Sequence, residues 1–183
     1  VGPNLGALNR AVLLSASHLI TPLAPDLFSA QGLKYLGPTL IDWRAGWRER
    51  LAKCPDPSLS LPSGGLAPLG YVVMQAGMRL SRPVAAYGRW VAQMPKVFHR
   101  ELLQGDANNL SVNNDPYCLG VMRNYQSLMP LAQDAKKPMF LLKPGDGAMG
   151  AHQGAVARCY DEFERLANTI TDKLRAEGAA RGA

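Results

Sequence analysis

The sequence predicts an α/β fold: a doubly wound, mostly parallel sheet with flanking helices. Candidate strands alternate with candidate helices four times, and no hairpin turn joins two of those strands. That order demands crossover connections, which run neighbouring strands parallel. One candidate strand, residues 69–74, is a continuous apolar run, the pattern of a strand covered on both faces. The 183 residues suit one domain with a sizeable core. An apolar fraction of 47% with 19% charged residues excludes a disordered or collagen-like chain. The longest uncharged apolar runs, residues 11–16 and 70–75, fall well short of the ~20 residues of a membrane span.

The elements follow in order. Asn4 is a favourable N-cap, and Leu5, Leu8, Val12 and Leu13 recur at helical spacing, so residues 5–16 read as a helix. Residues 18–24 are short and apolar and close on Pro25-Asp26, a strand in which Pro22 prefers the end. Asp26 can cap a helix carrying Leu33, Leu36, Leu40, Trp43 and Trp47, which Gly37-Pro38 should kink or divide. Residues 54–68 hold four prolines and two glycines and form a loop. After the 69–74 strand, Pro83 opens a helix with Val84, Tyr87, Val91 and Met94 on one stripe, ended by Pro95. Residues 105–116 are an Asn-rich loop, 118–122 a third strand, 127–135 a short helix and 138–142 a fourth strand. The last helix spans about residues 151–174 with Val156, Tyr160, Phe163 and Ile170 inward, and 175–183 form a frayed tail.

Ligands of parallel sheets bind beyond the carboxyl ends of the strands. The residues to inspect are therefore 24–26, 74–79, 123–125 and 143–147. Gly145-Asp-Gly147-Ala-Met-Gly150 spells GxGxxG there, but a dinucleotide fingerprint needs a further strand with an acidic residue about 20 positions on. A flexible loop entering a helix is the favoured reading. No G-x-x-x-x-G-K-[ST] run occurs, so the chain by itself assembles no phosphate-cradling loop. Cys54, Cys118 and Cys159 are odd in number, widely spaced and without a CxxC pair, which suits a reducing cytoplasm. With His18, His99 and His152 they show no zinc-ligand spacing. The chain opens on Val1-Gly2-Pro3-Asn4 without an initiator Met or a signal-like stretch, as expected of one cut inside a domain.

Four passages in series carry a family resemblance. Val1-Gly-Pro-Asn-Leu-Gly6 resembles the segment after the Walker A′ aspartate of the ParA/MinD ATPases, P-loop NTPases with a deviant Walker A motif. Ile20-Thr-Pro-Leu-Ala-Pro-Asp26, with Phe28, Gln31-Gly32 and Leu33, is similar to the strand-to-helix passage of that family, and residues 69–75 to its next strand. Leu119-Gly-Val-Met-Arg-Asn124, followed by Leu131-Ala and Lys137-Pro138, resembles the run written Ile-Pro-Arg-Asn…Gly-Lys-Pro-Ile. The resemblance implies that residues 1–174 are the C-terminal portion of one ATPase domain whose P-loop, Mg²⁺ ligands and acidic motifs precede Val1. It implies ATP held in a homodimer, in DNA partition or cargo positioning, with this portion alone inactive. Gly2, Pro3 and Asn4 would be switch backbone. Gln75 or Met74 would meet one edge of the adenine, and Met122, Arg123 and Asn124 the other side of the base. Gln75 stands where the family often has Asn or Thr, and Met122 where it has Pro. A strand end satisfied by local backbone remains the plain alternative for Arg123 and Asn124.

The formal charge of +6 is concentrated in part between Arg79 and Arg100. Arg79, Arg82, Arg89, Lys96 and Arg100 meet no acidic residue before Glu101, and Arg82, Arg89 and Lys96 are seven apart. The resemblance implies nonspecific DNA binding through such residues, with a solvated helix face as the alternative. Trp43 and Trp47 with Arg44, Arg48 and Arg50 read either as a partner-protein surface or as a core stripe with charged flanks. Two functions remain in view: an ATPase, or a non-hydrolysing scaffold of the same fold that binds DNA or a partner. Synthetase-like relatives would need substrate segments that are not seen here.

Overall fold

The computed structural model describes the backbone of residues 6–76, 78–79, 82–83 and 85–182, and the side chains of 6–74 and 88–179. Gly2, Pro3 and Asn4 lie outside the described residues, as do the side chains of Gln75, Arg79, Arg82, Val84 and Tyr87. The chain runs α1 (Ala7–Ser15), β1 (His18–Leu23), α2 (Leu27–Ala52), β2 (Ala67–Ala76), β3 (Met78–Arg79), β4 (Arg82–Pro83), α3 (Ala85–Phe98), a π-helical turn (His99–Leu103), β5 (Cys118–Arg123), α4 (Met129–Ala135) and α5 (Ala151–Gly182). Two 3-10 turns, Met139–Leu141 and Pro144–Asp146, separate α4 from α5.

β1, β2 and β5 form a parallel sheet in that order, with β2 at the centre. The expected α/β class with parallel strands joined through helices is what the chain adopts. β2 fits its place because its side chains alternate between two apolar layers. Tyr71 and Val73 pack with Leu23, Leu33, Met94 and Phe98 from the α2 and α3 side. Val72 faces the other way, against Leu119, Met122, Leu166 and Ile170 beneath α5. A smaller cluster of Leu13, Leu40 and Leu66 joins α1 to α2, and Leu128, Leu142 and Cys159 seat α4 on α5.

Several boundaries differ from the sequence reading. The fourth strand is absent: Pro138 enters a 3-10 turn at Met139–Leu141, so the parallel sheet has three strands among the described residues. Pro83 lies in β4, which pairs antiparallel with β3, and the helix begins two residues later. Pro95 does not end α3. Proline removes one helical hydrogen bond, but it sits fully buried in the core, and burial holds the helix through to Phe98. Gly37-Pro38 likewise leaves α2 undivided. α5 continues past residue 174 to Gly182, and its tail is tied down where His18 Nε2 meets Glu177 Oε2 at 3.0 Å. Tyr160 is exposed, and Cys159 takes the buried position beside it.

Gly37 has a specific purpose. A Cβ at this position would collide with the backbone carbonyl of Glu101, so only glycine lets α2 lie against the π-helical turn. Intrinsic helix propensity favours Gly37→Ala by about 1 kcal/mol. The clash is with backbone and cannot relax by a rotamer change. We therefore expect Gly37→Ala to destabilise the fold by about 2 kcal/mol net, measured by urea denaturation.

Candidate functional site

The parallel order brings the carboxyl ends of β2 and β5 side by side. Val73 pairs with Val121, the register shifts, and Ala76 then pairs with Arg123. Gln75 and Arg123, proposed from sequence as opposite sides of one pocket, thus stand on adjacent strands. β1 ends level with Val73 and is recessed by three residues. The residues after β1 serve α2: Asp26 accepts a hydrogen bond from the Ser29 amide at 2.8 Å, and the Ala24 amide donates to Ser29 Oγ at 3.1 Å.

Arg123 is anchored by α5. Its Nε lies 3.0 Å from Glu162 Oε1, and its backbone amide donates to Glu162 Oε2 at 3.1 Å. Glu162 is buried at 8% exposure, whereas the Arg123 side chain is 55% exposed. One carboxylate thus fixes both the end of β5 and the root of the guanidinium, leaving the outer part of Arg123 at the surface. Asn124 follows half-buried, and its carboxamide makes no hydrogen bond among the described residues. An amide so placed can read a heterocycle edge, giving one donor and one acceptor together.

Tyr125 and Cys159 are buried together in the cluster that seats α4 on α5. Burial first, and then the Glu162 charge, push the Tyr125 phenol up to about 12. The same two causes in the same order push the Cys159 thiol up to about 11. The buried Tyr125 hydroxyl has no hydrogen-bond partner among the described residues.

Met122 needs a correction. Its side chain is buried at 4% exposure in the cluster with Val72 and Leu119, because strand alternation turns it under α5. It supports the strand end from below and does not line an open pocket. Met74, the alternative to Gln75, packs against that same cluster. The Gly145–Gly150 motif begins inside a 3-10 turn, Pro144–Asp146, with no strand directly before it among the described residues, and Lys137 Nζ clamps Asp146 at 2.7 Å. The strand-turn-helix context of a dinucleotide site is therefore missing.

The basic residues separate into two groups. Arg89 and Lys96 are exposed on α3, whose passage through Pro95 keeps residues seven apart on one face. Arg100 lies in the π-helical turn and pairs with Glu101, with Arg100 Nη2 to Glu101 Oε1 at 2.7 Å. Comparison with family models, curated proteins and solved structures finds no match. Among the described residues no helix is long and apolar enough to cross a membrane.

Sequence reasoning missed Glu162. The available signal was an acidic residue between Cys159, Phe163 and Leu166 on the inward stripe of α5, a position where a carboxylate needs a partner. Replacing it tests the anchoring. Glu162→Gln keeps an acceptor but loses the charge, and with Arg123 half-exposed the expected cost is about 1 kcal/mol, read by thermal or urea unfolding. Cys159 gives a second check. Its ionisation is held off in the fold, so that contribution to stability is intact below its ordinary value of 9.0 and drains away as pH rises toward 11. At pH 8 a thiol reagent should label Cys54 readily and Cys159 only after unfolding, as peptide mass spectrometry of the alkylated chain will show.

Proposed function

We propose that this chain is the C-terminal portion of a ParA/MinD-like ATPase domain of P-loop NTPase type, a cytoplasmic switch that dimerises on ATP in DNA partition or cargo positioning. One observation carries the reading: the parallel sheet sets Ala76 opposite Arg123, so the two strand ends proposed as walls of a base pocket are neighbours. The Asn124 carboxamide supports it, being half-buried beside that edge with its hydrogen-bonding groups uncommitted among the described residues. The residues present fit one side of a base pocket. On this reading the triphosphate and Mg²⁺ would be held by residues encoded before Val1, so no phosphate chemistry is derived from this chain. Arg123 and Asn124 orient the base, and Glu162 holds Arg123 in place.

The second reading is a scaffold of the same fold that binds a partner or DNA without turnover. It is favoured by the commitment of Met122 to the core and of Arg123 to Glu162. Both readings share the exposed Arg89 and Lys96 face as a phosphate-backbone contact.

The polypeptide extended to include the sequence encoded before Val1 should hydrolyse ATP and dimerise with it. In that polypeptide Asn124→Ala should reduce the preference for ATP over GTP about tenfold, the scale of losing one paired base-edge contact. Nucleotide binding without turnover, or no nucleotide binding at all, would overturn the ATPase and leave the scaffold. For DNA, affinity for a nonspecific duplex should fall steeply with salt, and Arg89→Ala with Lys96→Ala should each flatten the log–log slope by about 1. An affinity indifferent to salt would remove α3 as a DNA surface.

A further inference from the structure

The amino ends of the parallel strands carry a second cleft, about 25 Å from the Ala76–Arg123 edge along β2. It has a volume of about 460 Å³, within the usual range for a small-molecule site, and lies between α2, the loop before β2 and the π-helical turn. Its apolar lining includes Leu40 and Leu66, both buried, and Leu102, which packs against them. On its rim stand Arg44 and Arg48, one turn apart on α2 and both exposed. Neither guanidinium has an ion-pair or hydrogen-bond partner among the described residues. The acidic group of the cleft, Glu101, is already neutralised by Arg100, whose Nε and Nη2 reach its Oε1 at 2.8 and 2.7 Å. The uncompensated charge of the cleft is therefore positive and lies at one side of an apolar floor.

The wall opposite α2 is fixed in advance. Trp47 Nε1 donates to the Pro62 carbonyl at 2.8 Å, and Gly64 sits at φ +69° with its α-carbon turned toward the Trp47 ring. A side chain at Gly64 would strike that ring at 2.6 Å from Cδ1, so the loop closes on Trp47 only as glycine. The walls of the cleft are thus preformed: the loop is tied to α2 through Trp47, and α2 lies close against the π-helical turn at Gly37. A preformed apolar floor with paired, uncommitted guanidiniums at its rim matches a ligand that is apolar at one end and an oxyanion at the other.

We propose that this cleft binds a small anionic amphiphile, its carboxylate or phosphate on Arg44 and Arg48 and its hydrocarbon body on Leu40, Leu66 and Leu102. Arg44 and Arg48 then act as binding residues at a site separate from the carboxyl-end pocket.

Titration calorimetry of the 183-residue chain with decanoate, decyl phosphate, decyltrimethylammonium and inorganic phosphate tests this. Saturable one-to-one binding of an anionic decyl probe is expected, with none of the cationic probe and only weak binding of inorganic phosphate. Preference for decanoate identifies a fatty-acid-like ligand, and preference for decyl phosphate a phosphorylated one. The variant Arg44→Gln/Arg48→Gln changes exposed residues only, and should keep its circular dichroism spectrum while losing about tenfold or more in affinity. Equal binding of cationic and anionic probes, unchanged affinity in the variant, or no saturable binding of either anion would overturn the proposal. None of these outcomes bears on ATP binding at the other end of the sheet.

Discussion

The buried carboxylate of Asp115 holds the architecture together. Its Oδ2 accepts from the Tyr71 hydroxyl at 2.9 Å, and its Oδ1 accepts from His99 Nε2 at 3.0 Å and from the Tyr117 amide at 2.9 Å. A carboxylate has no proton to give, so the His99 proton sits on Nε2. Three segments distant in sequence meet on one side chain: the central strand, the π-helical turn after α3 and the entry to β5. A buried charge left alone would be costly, and here nearly every lone-pair direction is used. Burial, aided by the neighbouring Cys118 and Asp115, pushes the Tyr71 phenol well above its ordinary range, so it remains a donor to that carboxylate. Lys173 of α5 closes the same corner, donating to the Pro116 carbonyl at 2.9 Å and lying 4.1 Å from the Tyr117 ring centroid.

The consequence reaches both ends of the sheet. Fixing β5 against β2 at its entry sets the register along which Ala76 arrives opposite Arg123. Fixing His99 sets the π-helical turn, and that turn supplies Glu101 and Leu102 to the cleft at the amino ends. One network thus positions both the β2–β5 strand ends and the amino-end cleft, which share no residue. A π-helical turn is well suited to this, because its extra residue per turn re-aims side chains that a continued α-helix would place elsewhere.

The parts of this fold that a sequence reader can see are those written in local pattern. The apolar run at 69–74 is the central strand, the 54–68 loop is rich in Pro and Gly, and Asp26 caps α2. Pro95 and Pro38 misled because tertiary burial overrides a local helix breaker, and Pro95 is wholly enclosed by the core. The segment 138–142 has strand-like composition but no neighbour to pair with; it packs instead through Phe140 against Tyr160 and Phe163. The candidate site was legible only as strand ends. Strand-end logic pointed to Gln75, Arg123 and Asn124, and the sheet sets the first two on adjacent strands. Strand alternation buries Met122, and the partners Glu162 and Asp115 announce themselves only when distant segments meet.

On the proposed reading, the adjacent carboxyl ends of β2 and β5 form a base-binding edge. Amide NMR of the polypeptide extended upstream of Val1, titrated with an ATP analogue that is not hydrolysed, tests it most directly. The Gln75, Arg123 and Asn124 amides should shift together and saturate at one affinity, with the cleft beside Gly64 unmoved. Shifts confined to the Arg44 and Gly64 region, or Gln75 and Asn124 titrating at different affinities, would contradict it.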